Sequence, residues 1–227
     1  MADREYPATS ETVLIPPHGL DGVLDVPPQA AKGVVLFAHG SGSSRFSPRN
    51  TYVARALCRA GFATLLFDLL TEDESADRRN VFDIPLLAHR LVSATRWVME
   101  REDLKPLPIG YFGASTGAAA ALLAAAKLGS RIGAVVSRGG RPDLAGPELR
   151  HVGAPTLLIV GGLDWDVLAL NRQALQDLPG IGQLSVVPGA THLFEETGTL
   201  DRVVALAIHW FETYLAPASQ EVGHDVR

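Results

Sequence analysis

The sequence has a single cysteine, Cys58, in 227 residues. No internal disulfide can staple the chain, and this usage fits a reducing compartment. It has no uninterrupted apolar run of the roughly 20 residues that a membrane-spanning helix needs. Basic charge is not in excess: 20 Lys and Arg stand against 25 Asp and Glu, a formal charge of -5. That balance removes the electrostatic ground for a nucleic-acid or anionic-membrane partner. The opening stretch MADREYPATSE has no apolar segment of the kind a secretory leader carries. There is no defensible metal-ligand spacing, no internal repeat and no low-complexity linker, so neither a metal nor a cofactor is expected. What is abundant is apolar side chain, 47% of residues, enough for a sizeable core. The expectation is one cytoplasmic domain over 1–227, loose at about 1–9 and 217–227.

Short apolar segments punctuated by Pro and Gly, ETVLIP and LDGVLDVP, read as two strands with a turn between them and form an antiparallel edge. GVVLFAHG, FATLLFD, LPIGYF, IGAVVS and APTLLIVGG are near-continuous apolar runs, the mark of strands buried on both faces. Helical periodicity fills the intervals: TYVARALCRAG, about 84–101, 116–128 before Gly129, and 167–178. A last strand, LSVVPG, precedes a helix at about 199–215. Strand and helix in alternation predict an α/β fold, a mostly parallel sheet of about eight strands with helices on both faces. In such sheets, ligands bind at the carboxyl ends of the strands.

At one of those ends lies GASTG, residues 113–117. With 12 serines and 22 glycines in the chain, the pattern G-x-S-x-G arises by chance roughly 0.1 times, so it needs structural context. The context is strand, motif, helix, which forces Ser115 into a tight exposed turn and leaves no room for side chains at Gly113 and Gly117. A serine hydroxyl needs a base and an orienting acid. Asp164 follows the strand TLLIVGG, and His192 follows LSVVPG. Asp166 and Asp143 are the rival acids. His209, His224 and His89 lie in a helix, the tail and mid-helix, while His18 and His151 precede strands and are placed at the other end of the sheet. Two oxyanion donors are expected, the backbone N–H of Thr116 at the helix start and that of Ser41 in HGSGS, with Gly42 second. Gly40 and Gly42 let that loop approach a substrate. The same loop lacks the Lys-Ser/Thr ending of a phosphate-binding loop.

With HGxG, G-x-S-x-G, G-x-x-D-x-x-V and G-x-x-H in this order, the chain resembles the α/β-hydrolase superfamily over residues 10 to 215. It is most similar to the compact dienelactone hydrolase-like branch. The resemblance implies the α/β-hydrolase fold without a cap domain, and a Ser115–His192–Asp164 triad hydrolysing small carboxylic esters or lactones through an acyl-enzyme. It departs from dienelactone hydrolases proper in having serine at the nucleophile position and no glutamate in the loop after the third strand.

Fewer than twenty residues separate the strand ending at Ser137 from the one near Pro155, too few for a lid, so an open site for short acyl groups or lactones is expected. Arg45, Arg138 and Arg141, on loops at the catalytic end, could pair with a substrate carboxylate. The stretch TEDESADRR reads as a solvated loop that could wall the pocket, Glu195 and Glu196 as solvated charges, and Cys58 as a small core residue. Two alternatives stay open: thioesterase or peptidase chemistry on the same triad, and a non-catalytic binding protein that kept the fold.

Overall fold

The computed structural model describes residues 9–215. β1 (Thr9–Ile15) and β2 (Leu20–Val26) form an antiparallel hairpin, and β2 pairs antiparallel with β4 (Ala63–Phe67). β3 (Val34–Ala38), β5 (Ile109–Ala114), β6 (Ile132–Arg138), β7 (Thr156–Gly161) and β8 (Gly182–Val187) complete an eight-stranded sheet, parallel from β4 onward. Its order is β1-β2-β4-β3-β5-β6-β7-β8. The runs without polar alternation, β3, β4, β5 and β7, are buried along their full length, while the edge strand β8 is largely open to solvent. Helices must therefore cover both faces.

α1 (Pro48–Arg59) and α6 (Thr199–Tyr214) pack on one face. α3 (Ile84–Glu100), α4 (Thr116–Leu128) and α5 (Trp165–Asp177) cover the other. α1 starts where the sequence stops extending: Ser47 Oγ accepts the Asn50 N–H, and Pro48 takes the first helical position, where a missing N–H costs nothing. α4 is apolar all round and buried from Thr116 to Ala125. Its alanines let it lie close against the sheet, as an enclosed helix must.

Three expectations change. The stretch 71–79 is not all loop: α2 (Glu72–Ala76) starts with a capping box, Thr71 Oγ1 accepting the Glu74 N–H while the Glu74 carboxylate accepts the Thr71 N–H. T-x-x-E is the signature of that device. His18 is not at the far end. Because β2 runs against β4, the start of β2 lies beside the end of β4, and the Asp68 N–H donates to Asp21 O at 2.9 Å. Thr9, expected to be loose, opens β1; the other residues of 1–9 and 217–227, and with them His224, lie outside the described residues. Between β6 and β7 there is only a 3-10 segment, Pro142–His151, and no lid. Among the described residues no helix is long and apolar enough to cross a membrane.

Candidate active site

Ser115 sits between β5 and α4 with φ 52° and ψ -122°, a backbone region a side chain rarely occupies and one that costs of order 1–3 kcal/mol. The surroundings hold it there. Its N–H donates to Arg138 O at 3.2 Å, and its carbonyl accepts from Ala118 N and Arg141 N at 3.1 Å each. The two glycines of the motif have no alternative: a Cβ on Gly113 would lie 2.4 Å from Ala118 Cα, and one on Gly117 would lie 2.2 Å from Ala38 O. Gly40 permits the third close approach, since its Cβ would stand 3.0 Å from Ser115 Cβ.

Asp164 occupies the N-cap position of α5 but does not cap it. Its carboxylate instead accepts from His192 Nδ1 at 2.7 Å. With Nδ1 carrying the proton, Nε2 keeps the lone pair a general base needs. Asp143 is engaged elsewhere, accepting from Arg141 Nε and Nη2 at 2.9 and 2.7 Å. His192 comes to the Ser115 end of the sheet because β7 and β8 end beside β6. A Cβ on Gly139 would lie 3.5 Å from His192 Nδ1, and one on Gly161 2.4 Å from Ala190 O. No hydrogen bond joins Ser115 Oγ to His192. Such contacts often tighten only when substrate binds.

Two residues that the sequence suggested were only solvated brace this histidine's loop. The Glu196 carboxylate accepts from the Thr191 N–H and, at 2.6 Å, from its hydroxyl, and these bonds hold its carboxyl below the ordinary range. Glu195 pairs with Arg49 at 3.3 Å. Phe194 completes the loop with φ 55°, buried.

Of the two expected oxyanion donors, the Thr116 N–H lies in the first turn of α4, where no intrahelical acceptor exists. The Ser41 N–H is beside it but occupied, donating to Thr116 Oγ1 at 2.9 Å. Gly42 takes φ 70°, with open space around it.

The three arginines separate. Arg45 is not free to meet a substrate: it is ion-paired to Asp68 and, at 3.6 Å, to Asp21, while its own N–H donates to Asp68 Oδ1 at 2.6 Å. Arg141 is held by Asp143 as described. Arg138 is not on a loop but ends β6, with 7% of its surface exposed. Its side-chain contacts are Asn50 Oδ1 at 3.4 Å and the Phe194 ring at 6.0 Å, and its Nε has no partner. Burial, reinforced by the nearby Arg49 charge, pushes the guanidinium down to about 10.

A cavity of about 540 Å³ lies on the β4 side of Ser115, which does not itself line it. Its wall is the 39–45 loop, whose Gly40 packs against Ser115, the 68–72 segment, Ser75 of α2, Val81, Leu87 and the start of β2. Thr71, Glu72 and Ser75 of that wall come from the stretch 71–79 that the sequence suggested could wall the pocket, whereas Asp21 and Asp68 were not singled out from sequence. His39 in the same wall is spent on structure, with Nδ1 3.0 Å from Gly40 O and Nε2 accepting the Leu69 N–H at 3.1 Å.

Comparison with known proteins bears on this arrangement. The dienelactone hydrolase family model matches residues 20–214. A crystal structure of a dienelactone hydrolase from Anabaena variabilis is 54% identical, covering 92% of this chain and 98% of its own, with a TM-score of 0.87. A carboxyl esterase from the fungus Tuber melanosporum shares the fold at 17% identity and a TM-score of 0.73, covering 95% of this chain and 89% of its own. A Mycobacterium tuberculosis protein named provisionally as a phosphoribosyl transferase is 60% identical over 203 residues, 89% of this chain. The match takes up 46% of that relative, so the chain spans about half its length.

Proposed function

The chain belongs to the dienelactone hydrolase family, and from that premise we propose that it is a serine hydrolase of small carboxylic esters or lactones. The observation that carries this reading is the 2.7 Å bond from His192 Nδ1 to Asp164, made at the sheet edge where Ser115 stands in its strained turn. In the reaction, His192 Nε2 takes the Ser115 proton as Oγ attacks the carbonyl carbon. The carbonyl oxygen, now an oxyanion, faces the Thr116 N–H and, once the Thr116 hydroxyl has turned aside, the Ser41 N–H. Collapse breaks the acyl–oxygen bond, and His192 returns the proton to the leaving alkoxide. Water attacks the acyl-enzyme, giving its proton to His192; the acid leaves and Ser115 is protonated again. Asp164 holds the Nδ1–H tautomer and stabilises the imidazolium.

The name of the longer mycobacterial relatives describes another chemistry. Nothing in the 39–43 loop favours it here: Asp21 and Asp68 line the same cavity and would repel a phosphate. Thioester and amide substrates use the same triad, so a substrate panel separates them from esters.

The test is a fluorophosphonate. Intact mass should show one adduct on the wild-type protein and none on Ser115→Ala. An unlabelled wild type would return the fold to a binding role.

A further inference from the structure

Both sides of a scissile bond must find room around Ser115, and the structure distinguishes them. His192 delivers its proton to the departing alcohol, so the alcohol leaves on the His192 side. The acyl portion then lies on the other side. The 540 Å³ cavity is on that other side: Gly40 and Ser41, which touch Ser115 and Thr116, line it, and no residue of the Asp164 or His192 loops does.

The wall of this acyl cavity is mixed: Leu69, Leu70, Val81 and Leu87 supply an apolar part, and the charge on the remainder is predominantly acidic. Five hydroxyl-bearing residues, Ser41, Ser43, Ser44, Thr71 and Ser75, line it together with the carboxylates of Asp21, Asp68 and Glu72. They face one guanidinium, Arg45, already held by Asp68 and Asp21 and lying over the Phe46 ring at 4.3 Å. A carboxylate on the acyl chain would have to displace Asp68 to reach it and would meet the remaining negative charge on the way. A hydroxyl meets acceptors in the carboxylates and donors in the serines. We propose that the acyl portion of the substrate is uncharged and hydroxyl-bearing, as in a hydroxy ester or a polyhydroxy lactone, and that the cavity rejects acyl chains carrying a carboxylate. This rests on the hydrolase reading above.

Three methyl esters with the same leaving group test it in a pH-stat: methyl butyrate, methyl 3-hydroxybutanoate and monomethyl succinate. The hydroxy ester should exceed the succinate by at least about tenfold in kcat/KM at low salt. In the double variant Asp21→Asn/Glu72→Gln the gap should close several-fold. Succinate hydrolysed as fast as the hydroxy ester, with the fluorophosphonate adduct still formed at Ser115, overturns the inference and leaves the hydrolase standing. Loss of the adduct together with all three turnovers overturns the hydrolase, and the inference falls with it.

Discussion

On the β4 side of Ser115, Arg45 lies among carboxylates and its side chain is 20% exposed. On the β8 side, Arg138 is more deeply buried, yet the charge that acts on it is another guanidinium, Arg49, and among the described residues it forms no ion pair. Burial normally demands compensation, because an isolated charge out of water costs several kcal/mol. Here the more accessible arginine has the counter-ions and the deeper one lacks them. Two guanidiniums from similar positions at the sheet edge thus have different standing. Arg45 shapes a cavity wall by being neutralised. Arg138 keeps its charge beneath Phe194, two residues beyond His192.

The sharpest way to break this contrast acts on the β8 side. Asp164→Asn should lower kcat by about 10³- to 10⁴-fold while the thermal midpoint stays near wild type, since the amide keeps the shape but favours the wrong tautomer. Asp143→Asn, which touches Arg141 rather than the histidine, should change kcat by less than about threefold. Near-normal turnover in Asp164→Asn would overturn the triad assignment.

The arginines themselves should respond with opposite signs. Arg45→Met strands Asp68 and Asp21 and should cost about 2 kcal/mol in urea unfolding, less than a fully buried pair because water reaches all three groups. Arg138→Met removes an unpaired buried charge for an apolar chain of similar length. It should gain about 1 kcal/mol. A loss of that size instead would mean that the guanidinium finds an anion in solution.

Much of this was legible beforehand. The inner strands read as buried because their apolar runs do not alternate, and GASTG could be placed because two glycines around a strand-to-helix serine have a steric reason. Asp164 and His192 lay after successive strands, which parallel topology brings together at one edge. What was not legible depends on pairing across the fold. Nothing local says that β2 pairs antiparallel with β4, so His18 was assigned to the wrong end and Asp21 went unnoticed. Nothing in the residue type says which arginine has found a carboxylate, or that the Ser41 N–H meets Thr116 Oγ1 across 75 positions of chain.

The smallest expected effect belongs to the cavity wall. His39 is half-buried, and its Nε2 accepts the Leu69 N–H, so protonation would break that bond. Burial accordingly holds its pKa below the ordinary 6.5. The folded state then binds fewer protons than the unfolded chain at acid pH, and stability falls as pH drops through 6.5, reaching at most about 0.8 kcal/mol at pH 6. His18, also lowered chiefly by burial, shifts stability in the same direction, so the slope alone cannot be assigned. Comparing urea midpoints at pH 7.5 and pH 6 for wild type and His39→Gln isolates the share of His39. The variant should lose less stability than wild type between the two. An equal loss in both would mean that His39 accepts a proton without giving up Leu69, and that this wall is looser than its hydrogen bonds imply.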